Sequence, residues 1–204
     1  MNTICNDPYI YTIDNFLTEK ECKFIIKVSK DNLRLAGVSK MDGEKGLETS
    51  KYKGRTNSSY WMAHDAYPES LKISKKIAKR IGCNYHFFES FQVIHYNENE
   101  EYKYHYDAYN KDDKEKYKKY CGERGNRIRT VLVYLNDVEE GGGTGFDSLN
   151  EYNGEIIVEP KMGKMVVFNN VNDDGSLNKK SRHAGLPVIK GEKWAFNLWL
   201  RERE

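Results

Sequence analysis

The apolar residues of this chain repeat with a helical period before Gly82 and with a period of two after it. Thr18 and Glu21 form a capping-box pattern, which predicts a helix that begins there and runs to about Asn32. A second helix is predicted between Pro68 and Gly82, where the glycine is placed to end it. Because the later segments alternate like strands, we expect an α+β domain with helices packed on an antiparallel sheet or barrel. The predicted strands are Phe88–Tyr96, Ile128–Leu135, Glu155–Val158, Met165–Phe168 and Trp194–Leu200.

Length and charge limit the classes of protein to which this chain can belong. A chain of 204 residues fits one core, so we expect residues 1–204 to form a single domain. The formal net charge is only +2, which argues against binding to nucleic acid or to an anionic membrane. We find no signal-peptide pattern and no apolar run of the roughly 18 residues that a transmembrane helix needs. These features predict a soluble protein, cytoplasmic by default, and leave its oligomeric state open, with a monomer allowed.

Three segments between the predicted elements differ in composition from the rest. Residues 37–59 are polar and rich in Gly, Lys and Ser, which predicts a long loop. Residues 111–126 carry many charges of both signs, which predicts a solvated loop or a short helix. We hypothesise that both segments close over a bound substrate as lids. The glycines within residues 139–145 lack the Gly-Lys-Ser/Thr ending of a phosphate loop, so we interpret them as a turn between strands.

The pair His105 and Asp107 is the first indication of a metal centre. Two positions apart in a strand, these side chains project from the same face and can share one metal. A third ligand has to come from elsewhere, and His183 lies just before an apolar strand. Two histidines and one carboxylate leave three octahedral positions open, which is the arrangement of the iron(II) oxygenases. A His-x-Asp pattern also occurs by chance on protein surfaces, so other residues have to support this interpretation.

Lys193 gives such support, because it follows His183 by ten residues and opens the last predicted strand. A lysine at the start of a strand usually faces solvent. Inside a barrel, however, its ammonium group would meet a carboxylate. Tyr96 precedes His105, and Arg127 with Thr130 lies on the strand after the charged segment. The chain therefore offers residues for a metal site and for an anion site near it.

A series of motifs in a fixed order is more specific than any one of these patterns. The chain contains, in order, Arg55-Thr56-Asn57-Ser58, Gln92-Val93-Ile94-His95-Tyr96, His105-Tyr106-Asp107, Arg127-Ile128-Arg129-Thr130, Tyr134-Leu135-Asn136-Asp137, Phe168-Asn169-Asn170, His183-Ala184-Gly185-Leu186-Pro187-Val188 and Gly191-Glu192-Lys193-Trp194. With these motifs, most of the chain resembles the prolyl 4-hydroxylase branch of the iron and 2-oxoglutarate dioxygenases. That resemblance implies a double-stranded β-helix, a cupin-like jelly roll, with N-terminal helices packed on its major sheet.

The resemblance also implies roles for residues at the metal and the cosubstrate. The family's lysine for the distal carboxylate of 2-oxoglutarate matches Lys193, and Tyr96 and Thr130 match positions that support the same cosubstrate. The positions that match the family's iron ligands are His105, Asp107 and His183.

Peptide contacts are implied in the same way. Tyr102 and Trp199 are expected to flank the proline ring, and Glu89 is a weaker candidate for a peptide contact. The positions that match the family's peptide contacts are Arg55, Tyr102, Arg127 and Trp199.

Three positions depart from the family pattern. Asn97-Glu98-Asn99 follows Tyr96 where the family usually has a glycine, and Asn57 stands in place of a serine. Arg201 replaces a histidine that often lies two positions after the last tryptophan. All three changes are expected around the peptide groove rather than around the metal, so the peptide that is used stays open.

These features predict an enzyme that hydroxylates peptidyl proline with 2-oxoglutarate and O₂, giving 4-hydroxyproline, succinate and CO₂. The expected cofactors are Fe(II), 2-oxoglutarate and O₂, with L-ascorbic acid as reductant, and the expected partner is a proline-rich or collagen-like peptide. One alternative keeps the chemistry but acts on a proline of one folded protein, as in oxygen sensing or ribosomal modification. The other is a metal-binding jelly roll without turnover.

Overall fold

The computed structural model describes residues 1–38, 54–149 and 155–203 of the chain. Its helices are α1 (Glu19–Ser29), α2 (Pro68–Ile81) and α3 (Lys114–Cys121). Its strands are β1 (Asn2–Asn6), β2 (Tyr9–Ile13), β3 (Arg34–Leu35), β4 (Ser58–Met62), β5 (Phe91–Tyr96), β6 (Tyr102–His105), β7 (Arg127–Tyr134), β8 (Glu140–Gly141), β9 (Thr144–Phe146), β10 (Ile156–Val158), β11 (Met165–Asn169), β12 (His183–Gly185), β13 (Val188–Lys190) and β14 (Lys193–Arg201). Among these residues, no helix combines the length and the apolar character needed to cross a membrane.

The two helices that the sequence predicts before Gly82 are present, and local capping explains where they begin and end. The Thr18 hydroxyl accepts a hydrogen bond from the Glu21 backbone N–H, and the Glu21 carboxylate accepts one from the Thr18 N–H. Helix α2 ends at Gly82, which has a left-handed backbone with φ of 72°. The residues that these helices bury in the core are Cys22, Ile25, Ile73, Ile77 and Ala78.

Two antiparallel sheets enclose the centre of the molecule. The major sheet has eight strands in the order β1-β2-β11-β7-β14-β5-β4-β3, and the minor sheet has four in the order β10-β9-β12-β6. Alternate residues of β7 face opposite sides of the major sheet: Val131 and Val133 pack with the helices, whereas Leu132 and Tyr134 join the core against the minor sheet. Burial on both faces explains why these strands are apolar almost throughout. The predicted α+β layout, with helices on the major sheet, is confirmed.

Two parts of the major sheet differ from the sequence prediction. The β1–β2 hairpin precedes α1, so the helices do not come first. The predicted loop over residues 37–59 is wrong at its end, because β4 begins at Ser58 and pairs with β5. Residues 39–53 of that predicted loop lie outside the described residues. Both missed elements pair with strands far away in sequence, β2 with β11 and β4 with β5, and no local pattern reports such pairing.

Two predictions about shorter segments are confirmed. Within residues 111–126 the chain forms α3, whose first turn is capped by the Asp113 carboxylate accepting from the Lys116 N–H at 3.1 Å. The glycine-rich segment forms the turn between β8 and β9, where Gly141 and Gly142 have φ of 75° and 69°.

Candidate active site

The three residues predicted as metal ligands converge at one end of the minor sheet. His105 ends β6 and pairs directly with His183, which begins β12. The Nε2 atom of His105 lies 3.6 Å from one Asp107 carboxylate oxygen, and Nε2 of His183 lies 3.5 Å from the other. All the potential ligand atoms lie within 4.8 Å of one another. Asp107 reaches the site from the bend after β6, so the expectation that both residues lie within one strand is wrong, although their side chains still meet.

Hydrogen bonds to the backbone determine which imidazole nitrogen faces the shared space. Nδ1 of His105 lies 2.8 Å from the Lys103 carbonyl oxygen, and Nδ1 of His183 lies 2.9 Å from the Ser181 carbonyl oxygen. A carbonyl oxygen can only accept, so Nδ1 carries the proton in both rings. The Nε2 lone pairs are therefore directed toward Asp107 and are available to a metal.

Thr130 orients the carboxylate of Asp107. Its hydroxyl donates to Asp107 Oδ2 at 2.6 Å and accepts from Nδ2 of Asn170 at 2.8 Å. The sequence prediction placed Thr130 near the cosubstrate and did not include this contact with a ligand carboxylate. It also gave no role to Asn170, although Asn170 belongs to one of the ordered motifs. Bonds of this kind hold a metal ligand in one orientation.

The protonation states of His183 and Asp107 suit a divalent metal. Burial lowers the pKa of His183 to about 4, because the buried ring loses hydration, while the attraction of Asp107 opposes this change. Burial would raise the pKa of Asp107, but the positive charge that His183 carries when protonated, together with the neighbouring His105 and Arg127, outweighs burial and lowers this pKa well below its ordinary value. A neutral imidazole and an ionised carboxylate are the forms that bind a metal.

Lys193 is buried at the first position of β14, where its backbone pairs with Tyr96 of β5. Tyr96 in turn lies against Gly185 of β12, the strand that His183 begins. Its side chain is only 1% exposed, and Nζ lies 5.0 Å from the Tyr96 ring centroid and 5.4 Å from the Tyr134 ring centroid. No carboxylate among the described residues forms an ion pair with it, and burial lowers the pKa of its ammonium group to about 7. A buried cation without a protein counter-ion fits a bound anion. The sequence prediction had not included Tyr134 in this site.

An open cleft of about 750 Å³ leads to the metal ligands. Its walls carry aromatic side chains from both sheets and from the segment before α3. All four residues predicted to contact a peptide line it: Arg55, Tyr102, Arg127 and Trp199. Trp61 of β4 also lines the cleft, with its ring centroid 5.7 Å from that of Trp199. Trp61 was missed because β4 was not predicted.

Glu89 forms ion pairs with two arginines at one end of this cleft. Nε of Arg127 and Nε of Arg201 each donate to Glu89 Oε1 at 2.6 Å, and the Arg127 guanidinium lies 3.7 Å above the Trp199 ring. Arg201 also donates to the backbone carbonyls of Tyr120 and Gly125. Burial alone would raise the pKa of Glu89, but the hydrogen bonds and charges of Arg127 and Arg201 outweigh burial and lower this pKa. Arg201, which stands in place of the family's histidine, therefore links the end of α3 to β14 by hydrogen bonds.

The two segments proposed as lids border the same cleft. Asp113, Lys116 and Tyr120 line it from the side of α3, and Gly37 and Val38 line it from the other side. Residues 39–53 are outside the described part of the chain, and closure of either segment stays a prediction.

Comparison with known proteins agrees with this geometry. Residues 91–201 match a family model described as the 2OG-Fe(II) oxygenase superfamily. Probable prolyl 4-hydroxylase 10 of Arabidopsis thaliana is 34% identical over 212 residues, which cover 97% of this chain and 70% of that protein. Prolyl 4-hydroxylase subunit alpha-1 of Homo sapiens is 32% identical over 197 residues, which cover 96% of this chain and 35% of that protein.

Solved structures give the same result for the fold. A viral collagen prolyl hydroxylase from Paramecium bursaria Chlorella virus-1, solved as a 2OG complex, has a TM-score of 0.72 and 30% identity, and the match covers 97% of this chain and 98% of that one. The jelly roll predicted from the sequence and the expected use of Fe(II), 2-oxoglutarate and O₂ are confirmed, whereas ascorbate stays a prediction. This chain belongs to the prolyl 4-hydroxylase family of the 2-oxoglutarate- and Fe(II)-dependent dioxygenases.

Proposed function

We propose that this chain hydroxylates C4 of proline residues in an extended, proline-rich peptide. In the overall reaction one oxygen atom of O₂ enters the proline C–H bond. The other enters 2-oxoglutarate, which leaves as succinate and CO₂. The observation that carries the proposal is the buried ammonium of Lys193, which has no counter-ion among the described residues, in the same jelly roll as a cluster of two histidines and one carboxylate. A cluster that only bound a metal would have no use for such a cation.

His105, Asp107 and His183 would hold Fe(II) through two Nε2 atoms and a carboxylate oxygen. Bound Fe(II) supplies the redox chemistry that activates O₂ with electrons from 2-oxoglutarate. The donor set fits this ion, because both Nε2 lone pairs face Asp107, and Thr130 holds the carboxylate by its second oxygen. Three protein ligands leave room for the cosubstrate and for O₂.

Lys193 would bind the distal carboxylate of 2-oxoglutarate. In the absence of an anion its charged form is unfavourable, since burial lowers its pKa to about 7. A dicarboxylate removes that penalty and forms a charge-assisted hydrogen bond in a site from which water is excluded. Tyr96, which pairs with Lys193 across β5 and β14, would support the same carboxylate through its buried hydroxyl.

The aromatic cleft would bind the peptide, with Trp199 and the ring edge of Tyr102 beside the proline ring. Proline-rich chains favour the polyproline II conformation, which is already extended and loses little entropy on binding to an aromatic groove. Arg127 lies over Trp199 and would donate to a peptide carbonyl with a guanidinium N–H that Glu89 leaves free. The viral neighbour, which is a collagen prolyl hydroxylase, supports a peptide of this kind.

The test is a panel of proline-rich peptides and folded proline-containing proteins, incubated with Fe(II), O₂ and labelled 2-oxoglutarate. We expect succinate formation coupled to the gain of one oxygen atom on a proline, located by mass spectrometry, and no product with the His183→Ala variant. Product on a folded protein alone would favour the alternative substrate class. Metal binding without succinate from any member of the panel would favour a jelly roll without turnover.

A further inference from the structure

Arg55 lines the cleft, but the chain itself uses its hydrogen-bonding nitrogens. The residue is only 7% exposed. Its Nε donates to the Asn57 side-chain oxygen at 3.0 Å, and its two terminal nitrogens donate to the Gly37 carbonyl at 2.9 Å and to the Gln92 side-chain oxygen at 3.2 Å. These bonds hold the guanidinium plane in one orientation. An arginine bound in this way is a poor direct anchor for a peptide.

The face of this guanidinium group packs on Tyr102, which in turn packs on an expected iron ligand. The Arg55 guanidinium carbon lies 4.4 Å from the Tyr102 ring centroid. The Tyr102 and His105 ring centroids lie 3.6 Å apart with an angle of 19° between the planes. The three groups therefore form a continuous stack that ends on the imidazole.

An irregularity in β6 makes this stack possible. Residues three positions apart in a regular strand face opposite sides of the sheet. Between Tyr102 and His105, however, the pairing with β12 shifts: His183 pairs with His105, whereas Gly185, two positions later, pairs with Tyr102. The additional residue in β6 rotates Tyr102 to the side of His105, as a β-bulge does. The Arg55 backbone forms an antiparallel bridge to Tyr102, which places its guanidinium over the ring.

The two imidazoles differ in how much protein surrounds them. The His183 side chain is 8% exposed, with the Phe168 ring at 4.7 Å and the Phe146 ring at 6.0 Å from its own. The His105 side chain is 17% exposed and lies on the cleft side, where Tyr102 covers its ring face. His105 thus depends on Tyr102 for the support that two phenylalanines give to His183, and Tyr102 depends on Arg55.

We propose that Arg55 is a positioning residue, which holds Tyr102 against His105 and thereby keeps His105 Nε2 directed at the metal. This inference rests on the proposed function, because it takes His105 as an Fe(II) ligand. Arg55 acts on the metal site through one aromatic ring, and its effect on the peptide is indirect.

The test measures binding of Co²⁺, a spectroscopic substitute for Fe(II), by titration of its visible absorption in the absence of peptide. Arg55→Met should weaken Co²⁺ affinity by about tenfold, as loss of support around a metal ligand usually does. Arg55→Lys keeps the charge but not the planar group, and it should also weaken binding. Tyr102→Phe keeps the stacked ring and should bind like the wild type, whereas Tyr102→Leu should bind as weakly as Arg55→Met. Arg34→Met is the control, because Arg34 is an exposed residue of β3 whose side chain donates to the neighbouring Leu33 carbonyl.

Each outcome separates this inference from the proposed function. Wild-type protein that does not bind Co²⁺ would refute the proposed metal site itself. If the wild type binds Co²⁺ and both Arg55 variants bind it equally well, but with a raised KM for peptide and an unchanged kcat, then Arg55 contacts the peptide directly and the inference is overturned. It is also overturned if both Arg55 variants fail to fold, because a positioning residue leaves the fold intact. If Arg55→Met causes no additional loss of Co²⁺ affinity in a protein that already carries Tyr102→Leu, the two residues act through the same stack. That result supports the inference.

Discussion

Replacement of Lys193 by methionine should stabilise the protein in the absence of 2-oxoglutarate while abolishing binding of that cosubstrate. Methionine retains most of the volume of lysine and removes only the ammonium group. The pKa of Lys193 falls from 10.5 to about 7, and at 1.36 kcal/mol per pKa unit this makes its charged form about 5 kcal/mol less favourable in the fold than in the unfolded chain. We take this value as an upper limit.

The pH dependence of this penalty has a definite sign. The folded-state pKa lies below the unfolded one, so the penalty is complete below about pH 7 and is lost as the pH rises toward 10.5. At pH 6, Lys193→Met should therefore unfold at a higher temperature than the wild type, by roughly 2 to 4 °C for each kcal/mol of the penalty. The difference should shrink between pH 7 and pH 10. With a divalent metal present throughout, addition of 2-oxoglutarate should raise the unfolding temperature of the wild type but not that of Lys193→Met.

Thermal unfolding followed by circular dichroism at pH 6, 8 and 10, with and without 2-oxoglutarate, measures these effects. Lys190→Met is the matched control, because Lys190 is exposed, pairs with the exposed Glu139, and lies in the neighbouring strand β13. That control should unfold like the wild type at all three pH values. A Lys193→Met variant that is less stable than the wild type at pH 6, or that still binds 2-oxoglutarate, would show that the buried ammonium does not have the role we assign to it.

Three further predictions concern the metal ligands and the ion pairs of the cleft. His183→Ala should reduce the affinity for Fe(II) or Co²⁺ by at least about a hundredfold, since one of three proposed ligands is lost. A metal affinity within tenfold of the wild type, measured by titration calorimetry, would contradict the proposed ligand set. Thr130→Val should lower metal affinity by about tenfold at nearly unchanged side-chain volume, because the Asp107 carboxylate loses its hydrogen bond of 2.6 Å. A Co²⁺ affinity equal to that of the wild type would contradict this role of Thr130. Glu89→Ala should cost about 3 to 5 kcal/mol in urea unfolding, because it leaves two buried arginines without their carboxylate, and a loss below about 1 kcal/mol would mean that solvent already screens these pairs.

Many features of this protein could be predicted from its sequence because they depend on neighbouring residues. The capping box at Thr18 and the glycine that ends α2 are local signals, and both helices have the predicted ends within a few residues. The candidate metal ligands and Lys193 could also be selected from the sequence, since the ordered motifs carry the residue types and spacings of the family, and their roles stay predictions. The central strands β5, β7, β11 and β14 could be predicted from their apolar, β-branched and aromatic residues, because the major sheet is buried on both faces.

The tertiary structure alone decided how these residues meet. Placement of the β1–β2 hairpin beside β11, the burial of Lys193 between Tyr96 and Tyr134, and the sharing of Glu89 by two arginines all join segments far apart in sequence. The stack of Tyr102 on His105 depends on a shift in pairing between β6 and β12. Local patterns specify which face of an element is apolar, but the register between distant strands is set by hydrogen bonds and packing that exist only once the chain has folded. For that reason the sequence determined the chemistry available to the site, and the fold determined which side chains support it.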